Sequence, residues 1–408
     1  MRIDISLSNS READSRIRTS IADCIESHVL DQASEDFVSF ILTGSMSRGE
    51  GVAIIESDGR VRLYSDMDML LVANDNGNID RKLKKAKEIE SALRKYLLLA
   101  RVEGNAEVNI ISRSCFRRFR ENIFGCELKG HGKILWGEPS VLEEIPDLYP
   151  DKIPRHDAFA LLNNRILEQL TSLEDVLHHR DTSRNLYNIS KLYLDIITSL
   201  LVFLGEYEST YAARNLKFKQ VVRQFDSTSL AGCMKNLVEK ADYWTHWRLH
   251  PGTNGTLDSA PLEQWLELMS YTREVWLWEL SNLLNHRLSK DVFILISSYL
   301  VEEPFSDKVK GWLRLLKRCY MLKKPLPYGR TVKLLTKGSP RALTYSCGAL
   351  LYFAIPSLLN DRHPNGYNKK VLDFISSMTP VSFLPTHNED WNDLRKNLTT
   401  NYELFFKD

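Results

Sequence analysis

The chain has 408 residues and a mass of 47.1 kDa, enough for two or three domains with sizeable cores. Its 54 Lys and Arg against 53 Asp and Glu leave a formal net charge of +1, so no global field draws it to nucleic acid or to a membrane. With 43% apolar and 26% charged residues, wholesale disorder is excluded.

Residues 1–18 hold no apolar run of the kind that a secretory signal needs. Six cysteines are scattered without a CxxC pair, which argues against a disulfide framework and against zinc. A cytoplasmic compartment is the expectation. The most apolar run, Leu192–Leu204, is short for a bilayer and carries Asp195, so it is expected as a buried helix and no membrane partner is expected.

In chain order, residues 14–33 carry Ile17, Ile21, Cys24, Ile25 and Val29 on one helical stripe. Phe37–Leu42 is a short β-rich run broken by Thr43-Gly44-Ser45. Val52–Ile55 and Val61–Tyr64 flank Asp58-Gly59, a hairpin signal. Met67–Val72 reads as a core strand, Ile79–Leu98 as a long helix with a basic outer face, Ala106–Ser112 as a third core strand, and Lys133–Leu135 as a fourth. The proline-bearing stretch Gly137–Pro154 reads as a boundary. Beyond it residues 157–180, 184–206, 209–225, 229–248, 261–286, 288–300 and 307–324 read as helices, with a glycine-rich break at 252–256. The expected class is α+β. A mixed-sheet domain over 1–140 precedes a helical domain over 155–300 and a helical C-terminal region over 301–408.

The segment 43–72 carries the chemistry. Gly44-Ser45 ends one strand, and Asp66-Met67-Asp68 opens another after the hairpin. Side chains two apart on a strand share a face, so Asp66 and Asp68 project together. Two such carboxylates repel unless a cation sits between them. Paired hard oxygens suit Mg²⁺ when substrate phosphates complete its shell. Gly44 allows close backbone approach to a phosphate, and Ser45 adds a hydroxyl and an amide donor. A solvated strand end is the plain alternative. Against it stands the apolar embedding of the motif in Leu63, Met67, Met69, Leu70, Leu71 and Val72.

A hydrophobic strand, Gly-Ser, a spacer and Asp-x-Asp in an apolar strand resemble the signature of the DNA-polymerase-β-type nucleotidyltransferase superfamily. Gly44-Ser45, Asp66 and Asp68 match it, and Arg48-Gly49-Glu50 resembles the small bacterial members. The spacer departs from the pattern. Twenty-one positions separate Ser45 from Asp66, the excess being assigned to the Asp58-Gly59 hairpin. The resemblance covers residues 30–140 well, extends loosely over the helices of 157–225, and does not reach 260–408. It implies a nucleotidyltransferase fold and Mg²⁺-dependent transfer of a nucleoside monophosphate, with AMP from ATP expected, to an acceptor hydroxyl, with release of pyrophosphate. The catalytic and metal-holding residues would be Asp66, Asp68 and a third carboxylate, placed at Glu107, the only acid inside the strand Ala106–Ser112. Gly44, Ser45, Arg48 and Lys191 would bind the nucleotide, Lys191 from an apolar helix walling the other side of a cleft. A snorkelling lysine is the plain alternative there.

Glu206 and Glu208 are weaker candidates for a base. Trp244 and Trp247 are expected in the core rather than stacking a ligand. The basic run Arg113, Arg117, Arg118 and Arg120 is expected as a solvated face. His178-His179 lacks a carboxylate at metal spacing. The expected partners are an NTP and an unidentified acceptor, and near-neutral charge disfavours a long nucleic acid. A different class remains open: a non-catalytic nucleotide-sensing or partner-binding protein on the same fold.

Overall fold

The computed structural model describes residues 3–30, 36–251, 260–285, 291–324, 327–360, 366–382 and 390–406. The glycine-rich break at 252–256 lies outside them. The chain is α+β, with small sheets in its N-terminal region and helices beyond. It forms two compact units. The first takes residues 1–154, 204–221 and 239–257; the second takes 155–203, 222–238 and 258–408. The first crossing falls where the proline-bearing stretch ends, but the chain then returns twice to the first unit. Residues of the expected 155–300 and 301–408 regions share the second unit.

In the first unit α1 (Arg11–Cys24) is capped by Ser10, whose hydroxyl accepts from Ala13 N. It passes into a π-helical turn at Ile25–Val29, where the sequence reads one helix running on to residue 33. The strands are β1 (Phe37–Leu42), β2 (Ala53–Ile55), β3 (Val61–Leu63), β4 (Met67–Ala73), β5 (Val102–Glu103), β6 (Ala106–Ser112) and β7 (Lys133–Gly137). Helices α2 (Gly44–Ser47), α3 (Ile79–Leu99), α4 (Arg113–Phe116) and α5 (Ile123–His131) lie between them. One sheet has the order β6-β4-β1-β7, with β4 and β6 parallel and β1 antiparallel to both its neighbours. The other has the order β2-β3-β5 and holds most of the spacer between Ser45 and Asp66. Its hairpin turns at Gly59, which has φ +78°.

Alternation along β4 divides the core. Met67, Met69 and Leu71 join the α1 stripe (Ile17, Ile21 and Cys24) and Ala86, Ile89 and Leu93 of α3. Leu70 and Val72 face the other way, onto Phe116, Leu128, Val141 and Ile145. Asp36 ties α3 to the start of β1. Its buried carboxylate takes Lys85 Nζ at 2.7 Å and Arg81, and these cations hold its pKa down against burial.

The remaining helices are α6 (Arg155–Leu177), α7 (Thr182–Leu204), α8 (Tyr211–Val221), α9 (Ala231–Leu249), α10 (Pro261–Leu283), α11 (Val292–Glu302), α12 (Phe305–Met321), α13 (Tyr328–Leu334), α14 (Pro340–Asn360), α15 (Gly366–Met378) and α16 (Trp391–Phe406). α7 lies within two residues of the helix expected over 184–206. By length and composition it and α14 are each able to cross a bilayer, yet 83% and 78% of their apolar windows are buried inside the fold. The charge of Asp195 on α7 is met by Arg165 of α6.

Candidate functional site

Three strand ends meet at one edge of the four-stranded sheet. β1 runs antiparallel to β4, so the end of β1 meets the start of β4, and the parallel β6 starts at the same edge. Thr43 donates through both N (2.8 Å) and Oγ1 (3.1 Å) to the Asp68 carbonyl, which fixes the Gly44 turn against the first residues of β4. Gly44 has φ +69°, a conformation that costs a side-chain-bearing residue dearly. A Cβ there would also collide with Asp68 Oδ2. The Asp68 carboxylate therefore lies directly over the glycine backbone.

Asp68 and Glu107 are register partners across β4 and β6. Both point to the face that carries Leu70 and Val72, one step beyond the apolar cluster. Asp66 stands just before β4, and all three carboxylates are half-buried. Asn105 Nδ2 donates to Glu107 Oε1 at 3.0 Å and steadies that side chain. Ser65 is pinned by Val52 N at 2.9 Å and by Arg248 at 3.4 Å, which anchors the residue ahead of Asp66. Ser45 is half-buried, and its carbonyl accepts from Arg48 N and Glu50 N. Among the described residues no group of three His, Cys, Asp or Glu converges closely enough to hold a metal by itself. The donor set still fits a hard cation that arrives with phosphate oxygens of its own: carboxylates on one face, with a backbone free of Cβ beside them.

Arg48 has a different occupation from the one expected. Its side chain is only 3% exposed, with Nε 2.8 Å from Glu50 and an NH group 2.6 Å from Glu127, and it lies over the Tyr211 ring. Burial alone would lower its pKa, but Glu127 and Glu50 overcome this and raise it. Glu127 also receives Tyr207 Oη at 2.8 Å and Arg214, while Glu50 accepts Tyr211 N at 2.7 Å. The guanidinium is thus a buried cross-link from the Gly-Ser turn to α5 and α8. Glu127 carries no local sequence signal, because it finds Arg48 and Arg214 about eighty positions away.

Lys191 lies in the second unit, 3.5 Å from Glu168 and beside the Tyr187 ring. Glu168 is held down to about 2 against burial by Arg165 and Lys191, so this lysine already serves a carboxylate. Glu206 pairs with Lys217 at 3.2 Å. Trp244 and Trp247 are buried and stack edge-on to each other. Arg113 and Arg117 are met by Glu138 and Glu144, so the basic run is in part neutralised on the surface.

No family model, curated protein or solved structure matches this chain.

Proposed function

We propose that the first unit is a nucleotidyltransferase domain that moves a nucleoside monophosphate, with AMP the expected group, from an NTP to an acceptor hydroxyl. The observation that carries this reading is the pairing of Asp68 with Glu107 at the strand edge where Gly44 lies against the Asp68 carboxylate. Asp66, Asp68 and Glu107 would hold Mg²⁺, which when bound offsets phosphate charge and polarises the α-phosphate. Gly44 lets the Asp68 carboxylate lie against the backbone of the turn, and the Ser45 hydroxyl would donate to a phosphate oxygen. Asn105 keeps Glu107 oriented, and the Thr43 bonds to the Asp68 carbonyl keep the turn and the strand in one geometry. The acceptor oxygen forms a bond to the α-phosphorus, the bond to the β-phosphate oxygen breaks, and pyrophosphate leaves with the electron pair. The hydroxyl proton passes to water. Catalysis of this kind rests on position and electrostatics. Arg48 and Lys191 are not part of the proposed contact set, because Glu50 and Glu127 engage the one and Glu168 the other.

The test is full-length protein with Mg²⁺, ATP labelled at the α-phosphate and a panel of hydroxyl acceptors. Labelled product and pyrophosphate are expected, and both should form about a hundredfold more slowly in Asp68→Asn. A second reading is a nucleotide sensor or partner-binding protein; among the described residues no three ligating groups close on one point by themselves. Mg²⁺-dependent NTP binding without pyrophosphate release would select it, and absence of binding would remove both readings.

A further inference from the structure

Near-zero net charge conceals a segregation. From Lys308 to Arg341 the sequence carries eleven Lys and Arg and no Asp or Glu, all in the second unit. Some of these cations are engaged internally. Lys308 Nζ donates to the Thr336 carbonyl at 3.3 Å, and Arg330 donates to the carbonyls of Ser376 and Thr379. Five others line one recess of about 710 Å³: Lys310, Arg314, Lys317 and Arg318 on one face of α12, and Arg341 at the start of α14. The recess holds two carboxylates, and both are in use. Glu303 accepts from Ser339 N at 2.7 Å, and Asp307 lies 3.5 Å from Lys310. A neighbouring stripe of α12 presents Leu313 and Tyr320 at 61% and 75% exposure, and Tyr328 beyond it is 62% exposed.

We propose that the basic recess along α12 binds single-stranded nucleic acid. The arginine forks and lysines take successive phosphates, and the exposed tyrosines offer faces on which bases stack irrespective of sequence. The cations line a recess of about 710 Å³ rather than a flat face, which suits a flexible strand better than a planar lipid surface. The chain that follows α12 is also basic, with Lys323, Lys324 and Lys333 and no acid between them. Affinity of this kind follows from the local cluster, whatever the chain's total charge. The proposal is independent of nucleotidyl transfer.

The test uses the full chain in EDTA with a labelled oligouridylate of about 12 nucleotides, read by fluorescence anisotropy. Binding should weaken at least about tenfold between roughly 50 and 200 mM salt. The double variant Arg314→Glu/Lys317→Glu changes two exposed side chains, so it should keep its melting temperature and lose about tenfold or more in affinity. Tyr320→Ala should lose about tenfold at unchanged salt dependence. Four outcomes each overturn the proposal: no binding at low salt; binding indifferent to charge reversal; displacement by tripolyphosphate at equal phosphate concentration; or tighter binding to phosphatidylserine vesicles than to the oligonucleotide.

Discussion

Asp68 and Glu107 stand side by side on adjacent parallel strands, two like charges in direct register one step beyond an apolar cluster. Such a pair opposes folding unless a cation joins it. This gives a two-sided expectation. In EDTA, Asp68→Asn and Glu107→Gln should melt at or slightly above the wild-type temperature. With Mg²⁺ and NTP they should lose about two decades of turnover, the scale of several kcal/mol of charge stabilisation. Mg²⁺ with a non-hydrolysable NTP should raise the melting temperature of the wild type and not of the variants. Equal metal-dependent stabilisation in all three proteins would contradict the proposed site.

Gly44 offers a sharper test of geometry. Gly44 and Gly49 both have positive φ, +69° and +74°. A Cβ at Gly49 would meet nothing nearer than Ser6 O at 3.5 Å, an ordinary contact, whereas one at Gly44 would strike Asp68 Oδ2. Gly49→Ala should therefore cost only the backbone term of about 1–2 kcal/mol. Gly44→Ala should cost more and also displace the carboxylate, abolishing Mg²⁺-dependent NTP binding. Calorimetric titration of both variants separates the two effects, and equal NTP affinity in both would place the nucleotide elsewhere.

The buried cross-link of Arg48 with Glu50 and Glu127 predicts a stability defect rather than a simple binding defect. Arg48→Ala removes the cation shared by two largely buried carboxylates, leaving Arg214 and Tyr207 on Glu127 and, among the described residues, only the Tyr211 N–H on Glu50. Breaking a buried pair from one side costs about 3–5 kcal/mol. Urea titration should show a much lower midpoint for Arg48→Ala. A normal midpoint with NTP affinity reduced tenfold would return Arg48 to the nucleotide.

Local signals in the sequence locate most of this fold. The stripe from Ile17 to Val29, along α1 and the π-helical turn after it, is fully buried as its spacing requires, and the Asp58-Gly59 hairpin and the strand Ala106–Ser112 form where the residues indicate. β7 extends beyond its apolar run because Trp136 and Gly137 pair with Phe40 and Ser39, a tertiary cause. The candidate site is legible in part for the same reason. Gly44, Asp66 and Asp68 lie in one short segment, and the alternation of Ala106–Ser112 singles out Glu107. The parallel pairing that brings Glu107 beside Asp68 has no local signature. Neither has the ion network at Arg48, whose partner Glu127 arrives from α5, nor the return of residues 204–221 and 239–257 to the first unit.

The last prediction concerns Glu279 of α10, whose side chain is fully buried in the second unit. Ser199 donates to its Oε1 at 2.5 Å, and among the described residues Oε2 has no hydrogen-bond partner. Burial, only partly offset by the Ser199 bond, pushes its pKa from 4.5 up to about 8. The folded state therefore keeps a proton that the unfolded chain releases. Below about pH 4.5 both states are protonated, and the stabilising term is fully present. Between there and about pH 8 the unfolded chain binds fewer protons, so stability falls as pH rises; above that it levels off. Glu279→Gln retains an acceptor for Ser199 and removes the titration. Denaturation midpoints of the two proteins at pH 5 to 9 should diverge progressively, the glutamine variant becoming the more stable by a few kcal/mol on the alkaline side. Parallel pH profiles for wild type and variant would show that Glu279 does not carry this proton.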